Sequence, residues 1–396
     1  MRKLKIAILR GWYLNPWEMM RYSSLADQFD IHAIGTHHPL FDISGIPLPV
    51  SRLHWPGECF YAFGRSAGRL INRGLYKYVR YNQWLFGLDA VLSSCDIIHS
   101  ADTHHLFSYQ AALIRKRHGN KLALTVWENI PFQDERRGIY LNLSRVVREQ
   151  TDLFLPVTER AKQMLILQGV PDHKIMVIPQ PVDLALFRPS AQQNPVRLSL
   201  ECGKDDTLIL TVARLHRSKG IEFLLYAFRR LLQDAPPGSG LKLAIVGTGE
   251  QELTLKATAD RLGISDRVIW CGGVDHDRLP DYYAAADIFV LPSIPTEEWQ
   301  EQFGMVLIEA LACGRPVVST LSGSIPDVVE DAGILVQPAD ATALYQGLRS
   351  LVQNPALRER YGKMGRDLAE RKYHPTVVAE STATAYHRLA KRGASS

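Results

Sequence analysis

No run of about 18 apolar residues occurs in this chain of 396 residues, which excludes a membrane-spanning helix. The start resembles a signal peptide only in its basic residues Arg2, Lys3 and Lys5, because Arg10 cuts the apolar run short. That run reads instead as a buried first strand. Cysteine is scarce: Cys59, Cys95, Cys202, Cys271 and Cys313 are scattered, odd in number and without paired spacing. A disulfide framework is therefore not expected, and a reduced, cytoplasmic compartment is. Short repeats and low-complexity tracts are also missing, which leaves ordinary globular domains.

What is present fits that class, with 46% apolar and 22% charged residues. A chain this long exceeds what one core usually holds, so two domains are expected. Strand-like runs at Lys5-Leu9, Ile31-Ile34, Asp96-His99, Leu122-Val126, Leu153-Pro156 and Lys174-Ile178 alternate with helical segments. A second series does the same at Leu208-Val212, Leu243-Val246, Val268-Cys271, Ile288-Leu291, Pro316-Ser319 and Ile334-Val336. The alternation predicts an α/β protein of two Rossmann-like parallel-sheet domains facing a central cleft. The proline-rich stretch from Pro179 to Pro195 reads as the linker, giving domains at 1–190 and 191–373. Residues 374–396 read as a C-terminal helix packing back on the first domain. Residues 1–190 carry 23 Lys/Arg against 16 Asp/Glu, and the remainder 23 against 25. The basic first half either meets something anionic or presents a solvated basic face.

Three clusters carry chemistry. Glu301-Gln302-Phe303-Gly304-Met305 and Glu309 place two carboxylates eight residues apart around a glycine that opens a helix. Fully helical, that spacing holds them roughly 12 Å apart, too far to share a proton and suited to gripping two ends of one ligand. The free N–H groups near Gly304 form an anion site. After one strand, Arg214 and Lys219 deliver a fork and a point charge, which together can neutralise a diphosphate or simply lie on a charged surface loop. After another comes Gly247-Thr248-Gly249, where a dinucleotide fingerprint would want a third glycine and Glu252 stands. That weakens a nicotinamide oxidoreductase.

In this order and spacing the residues resemble the retaining glycosyltransferases of group 1, also called family 4, with the two-lobed GT-B fold. The resemblance extends through Ala284-Ala285-Ala286-Asp287 and Pro316-Val317-Val318 in the second half. In the first half, Asp96-Ile97-Ile98-His99 and Ile178-Pro179-Gln180-Pro181 match more loosely. It implies that the second lobe binds a nucleotide-diphosphate sugar and the first an acceptor, with no metal and no other cofactor. By position, Arg214 and Lys219 would hold the diphosphate, Glu309 the ribose and Glu301 a hydroxyl of the donor sugar. Backbone N–H groups from Phe303 through Gly304 to Met305 would complete the grip, and Gly273 and Val274 would meet the base. Asp275-His276-Asp277 has a metal-like spacing, but its place before Leu279-Pro280 reads as helix capping or solvated charge.

The first half departs from that pattern. Gly11 stands before Trp12 and Tyr13 where the family has paired glycines, and can still bring backbone N–H groups to a phosphate or acceptor. Trp127-Glu128-Asn129 replaces a histidine often found beside the reacting sugar, so that Glu128 and Asp102 become the acceptor-side candidates. Asp102 also reads as a helix cap. Between residues 63 and 88, Arg65, Arg69, Arg73, Lys77 and Arg80 form one helical stripe among aromatic and aliphatic residues. Such a helix either rests on an anionic membrane surface or packs on the sheet with a solvated basic edge. The expected enzyme transfers a sugar to a glycan, lipid-linked or small-molecule acceptor, in the cytoplasm or peripherally on the membrane, with no nucleic-acid partner. The alternatives are an inactive sugar-nucleotide-binding regulatory subunit and a GT-B-fold epimerase.

Overall fold

The computed structural model describes residues 2–78, 83–133, 139–190, 194–236 and 238–391. Backbone contacts divide the chain into two units, Met1–Pro181 with Pro375–Ser396, and Val182–His374. The division thus falls at Pro181, not at the 190/191 boundary expected from composition. The proline-rich stretch belongs to the second unit because it packs there: Phe187 is buried, its carbonyl accepts from Arg366 (3.1 Å), and the Val182 N–H donates to the Tyr373 carbonyl (2.9 Å). Residues 191–193 of the expected linker and 392–396 of the expected terminal helix lie outside the described residues.

In the first unit, strands β1 (Lys5–Gly11), β2 (Asp30–Thr36), β3 (Val50–Leu53), β4 (Ile97–Ala101), β5 (Lys121–Val126) and β6 (Leu153–Pro156) form a parallel sheet in the order β3-β2-β1-β4-β5-β6. Ile6, Ala7, Ile8 and Leu9 are all fully buried, as a strand covered on both faces requires. Successive side chains feed opposite cores. Ile6 and Ile8 join Met19, Val378 and Tyr386, whereas Ala7 and Leu9 join Phe107, Ala111 and Trp55. The helix Pro375–Lys391 packs on helix Pro16–Ser23 within this unit.

Two strand expectations fail here. The run Lys174-Ile178 is not a strand, because Lys174 closes a 3-10 turn and Ile175 alone bridges Phe154. Val50–Leu53 was not expected, since Ser51 and Arg52 interrupt its apolar pattern, yet it pairs with β2 at the sheet edge.

The second unit repeats the design with β7 (Thr207–Val212), β8 (Leu241–Val246), β9 (Val268–Gly272), β10 (Ile288–Leu291), β11 (Val317–Thr320) and β12 (Gly333–Val336), all parallel, in the order β12-β11-β10-β7-β8-β9. In both units the chain winds outward from one strand and then restarts on its other side. The switch points lie between β1 and β4 and between β7 and β10, where ligands of such sheets gather.

Beneath the first switch point sits a buried ionic network. Arg10, at 2% exposure, donates to Glu18 (2.8 Å), to the Leu9 and His99 carbonyls (both 3.1 Å), to Tyr22 (3.0 Å) and to Thr125 (3.3 Å). Burial opposes the guanidinium charge, but Glu18, Tyr22 and Tyr386 together outweigh it and the pKa of Arg10 is raised. The His99 ring lies between the Tyr386 hydroxyl and Thr125 Oγ1, each at 2.7 Å. Burial, with Arg10 and Arg21 beside it, pushes the His99 pKa well below the usual value, so the ring is neutral. Removing one member of a buried pair leaves an uncompensated charge. Arg10→Ala is therefore expected to cost about 3–5 kcal/mol, read as a lowered urea midpoint.

Candidate functional site

The second switch point collects the charged residues picked out in the sequence. After β7, His216 Nδ1 accepts from the Ser218 N–H (3.2 Å) and opens the 3-10 turn Arg217–Lys219. Gly220 follows with φ of 64°, and a Cβ there would lie 2.0 Å from the Pro292 carbonyl oxygen. Only glycine lets this turn press against the segment leaving β10. The Ile294 N–H donates to the Ser218 carbonyl (2.8 Å) and seals the contact.

This approach carries Lys219 onto Glu301. The ammonium lies 2.7 Å from Glu301 Oε2 and 4.4 Å from the centre of the Trp299 ring. Ser293 Oγ donates to the same carboxylate oxygen at 2.7 Å, and Glu301 is only 6% exposed. Its backbone is clamped from the far side, where the Ser324 N–H donates to the Glu301 carbonyl (2.8 Å) and a Cβ on Gly323 would fall 2.1 Å from that oxygen. Arg214 is exposed, and among the described residues its side chain makes no hydrogen bond or ion pair.

Gly304, with φ of 83°, opens the helix Met305–Ala312 as expected from the sequence. Phe303 turns its ring into the core, edge-on to Tyr373, so only its backbone is offered to a ligand. Glu309 sits one turn inside the helix, 3% exposed, accepting from Tyr283 OH (2.7 Å) and paired with His276 Nε2 (3.1 Å). The bond to Glu309 raises the His276 pKa, while burial and the same carboxylate raise that of Tyr283 and keep it a donor. Among the described residues no hydrogen bond joins the two glutamates. Gly247 and Gly249 are required by packing, since a Cβ would fall 1.9 Å from the Ala213 oxygen and 2.3 Å from the Leu215 oxygen. Gly273 and Val274 lie on the loop after β9, where the Gly272 carbonyl accepts from the Gly247 N–H (2.7 Å). Asp275 stands before a 3-10 turn without a side-chain cap, and both it and Asp277 are exposed, which corrects the capping alternative.

In the first unit, Asp102 is likewise not a helix cap. It follows β4 with φ of 47°, and its Oδ1 accepts from the N–H groups of Trp127 (2.8 Å) and Glu128 (3.4 Å), pinning the loop after β5. Asp102 and Glu128 are thereby brought together. His104 and His105 join Asp102, the three offering metal-ligand-type atoms within 4.8 Å of one another. Gly11 ends β1 with φ of 54°, and a Cβ there would lie 3.0 Å from Gln83 Oε1 and 3.1 Å from the Phe107 ring. The backbone is helical over Arg65–Tyr78, and Val79 and Arg80 of the basic stripe lie outside the described residues. Among the described residues no helix is long and apolar enough to cross a membrane.

Sequence reasoning gave no role to His276, Tyr283, Ser293, Trp299 or Gly323. His276 lay inside a pattern read for its aspartates, and the others meet the glutamates or Lys219 only through the tertiary fold. The raised His276 pKa sets a pH dependence. Stability from the Glu309 bond is fully present below the unfolded value of 6.5 and is lost as pH rises through the higher folded value. The melting-temperature gap between wild type and His276→Asn is expected to be widest in acid and to close above that value.

Two family models match the chain: Glycosyl transferases group 1 over residues 196–368, and Glycosyltransferase Family 4 over residues 52–186. A D-inositol 3-phosphate glycosyltransferase of Geodermatophilus obscurus is 30% identical over 291 residues, 70% of this chain and 60% of that protein. One from Thermobifida fusca is 34% identical over 215 residues, 52% of this chain and 48% of the relative. The chain thus spans about half to three fifths of the length of these curated relatives. Among solved structures, Anabaena Alr3699/HepE in complex with UDP matches with a TM-score of 0.76 at 17% identity, covering 97% of this chain and 100% of that one. Sucrose-phosphate synthase from Thermosynechococcus elongatus matches at 0.71 and 21% identity, covering 98% and 100%. These likenesses show the fold, two six-stranded parallel sheets as in GT-B glycosyltransferase structures. With both models matching in succession along most of its length, the chain belongs to the glycosyltransferases, Family 4 in its first half and group 1 in its second.

Proposed function

We propose that this protein is a metal-independent, retaining glycosyltransferase that moves a hexosyl group from a nucleotide-diphosphate sugar to a glycan, lipid-linked or small-molecule acceptor. The observation that carries the reading is the convergence of Lys219, Glu301, Ser293 and the start of helix Met305–Ala312 at one switch point, with Arg214 exposed beside them. On this reading the bond from the anomeric carbon to the diphosphate breaks and one to an acceptor hydroxyl forms on the same face. The acceptor proton passes to the departing phosphate. Lys219, Arg214 and the first N–H groups of the helix stabilise the charge that develops there.

The glutamates divide the donor between them. Glu301 accepts from a sugar hydroxyl, while Glu309 accepts from the ribose hydroxyls. A carboxylate has about four lone-pair sites, and Tyr283 and His276 take two of those on Glu309. The UDP in the HepE structure supports a uridine nucleotide as the first donor to try. In the first unit, Asp102 positions Glu128 toward the acceptor. Exposed Phe63, Leu70 and Phe86 support contact with a membrane surface, which suits a lipid-linked acceptor in polysaccharide or glycolipid assembly.

Incubation with UDP-glucose and its GDP and ADP counterparts tests the donor reading. Release of free nucleoside diphosphate is expected to persist in EDTA and to fall about 10²–10³-fold in Lys219→Ala. In Glu309→Ala the donor KM is expected to rise roughly 10- to 100-fold, the loss of hydrogen bonds to a charged group. Normal kinetics in Lys219→Ala would sink the assignment. Nucleotide binding with no release under any acceptor mixture would favour the regulatory-subunit alternative.

A further inference from the structure

Two strands from the first switch point, at the carboxyl ends of β2 and β3, lies a cavity of about 340 Å³ that none of the residues discussed above explains. Its wall includes His37, His38, Phe41, Asp42, Arg52 and Tyr61. The volume sits at the lower end of small-molecule sites, roughly 300–1,000 Å³.

Two features of this wall select a ligand class. First, its rings are held rigidly. His38 stacks on Tyr61 with centroids 4.4 Å apart at 21°, His37 stacks on His54 at 4.1 Å and 20°, and Phe41 meets Trp17 edge-on at 4.8 Å. Flat faces fixed in this way suit the C–H face of a saturated ring. Second, the charges oppose one another, with Arg52 on one element and Asp42 on another. The Ser44 N–H donates to the Asp42 carboxylate (2.9 Å) and holds its pKa below the usual value, so it stays an ionised acceptor. An anion would be drawn by Arg52 and repelled by Asp42, whereas a neutral polyol can accept from the one and donate to the other.

We infer that this cavity is a carbohydrate subsite that takes one neutral hexose residue of the acceptor. The inference rests on the transferase reading and narrows its acceptor to an oligosaccharide or glycan. Adjacent strands are about 4.8 Å apart, so β2 and β3 lie roughly 5–10 Å from β1 on the side away from β4. A sugar bound there is not the one attacked near Gly11 and Asp102 but a neighbour of it, holding the chain in register. Polar contacts to its hydroxyls give specificity and the aromatic faces give contact area.

Saturation-transfer NMR on the full chain, with maltose, cellobiose, lactose and N-acetyllactosamine as probes, tests this directly. At least one disaccharide is expected to bind and to weaken at least tenfold in Arg52→Ala and in Asp42→Asn. The shift in melting temperature caused by UDP is expected to be the same in both variants. Absence of transfer to every disaccharide, retention of binding in both variants, or binding of inorganic phosphate sensitive to Arg52→Ala would overturn the subsite. Failure of the donor reading appears separately, as a wild-type chain whose melting no nucleoside diphosphate shifts.

Discussion

The 2.7 Å contact between the Lys219 ammonium and the Glu301 carboxylate ties the segment leaving β7 to the segment leaving β10, and the second unit's candidate site is built around it. Those strands are neighbours only because the chain restarts on the other side of β7 after three strands. Taking both ions out of water costs several kcal/mol each unless their remaining valences are met. Ser293 Oγ and the Trp299 ring meet part of that need. The approach itself depends on absent side chains, since Gly220 admits the Pro292 carbonyl and Gly323 admits the Glu301 carbonyl. A methyl group at either place would move one partner of the pair by more than a hydrogen bond tolerates.

The first unit uses the same strand order with a different electrostatic solution. Its buried charges lie under the switch point rather than at its rim, with Arg10 and Arg21 both inside and Glu18 the carboxylate they share. Hydroxyls and carbonyls take up the remaining donors of Arg10, and Gln180 accepts from Arg21. Tyr386 reaches this network from the helix Pro375–Lys391, so the first unit is completed only after the chain has built the second and returned. Pairing of this kind, across 287 residues, makes the terminal helix part of the first core rather than an appendage.

The sheet strands were legible because a strand buried on both faces reads as an unbroken apolar run, and eleven of the twelve overlap such runs with ends within two residues of them, where β3 fails for want of apolar residues. Lys174-Ile178 misled for the opposite reason, being apolar enough for a strand while its backbone turns at Asp172–Lys174. At the candidate site, residue types and order were legible but partners were not. Glu301 and Glu309 could be located, yet Lys219 lies 82 positions from the first, and Tyr283 and His276 lie 26 and 33 from the second. Local spacing carries no information at that range. Asp102 shows the limit in miniature, since a carboxylate after a strand suggests a cap until the next strand brings the Trp127 and Glu128 N–H groups to it.

The partners also settle how the two glutamates differ. Glu301 faces a permanent cation, whereas Glu309 faces a phenol and an imidazole whose charge follows pH. Because each is satisfied by its own set, neither needs the other to neutralise it, and an acid and base couple between them has no structural support. A ligand reaching across the start of helix Met305–Ala312 would therefore meet one carboxylate with a fixed electrostatic environment and one with an adjustable environment. The first suits the end where charge develops during reaction, and the second suits the end that is only held.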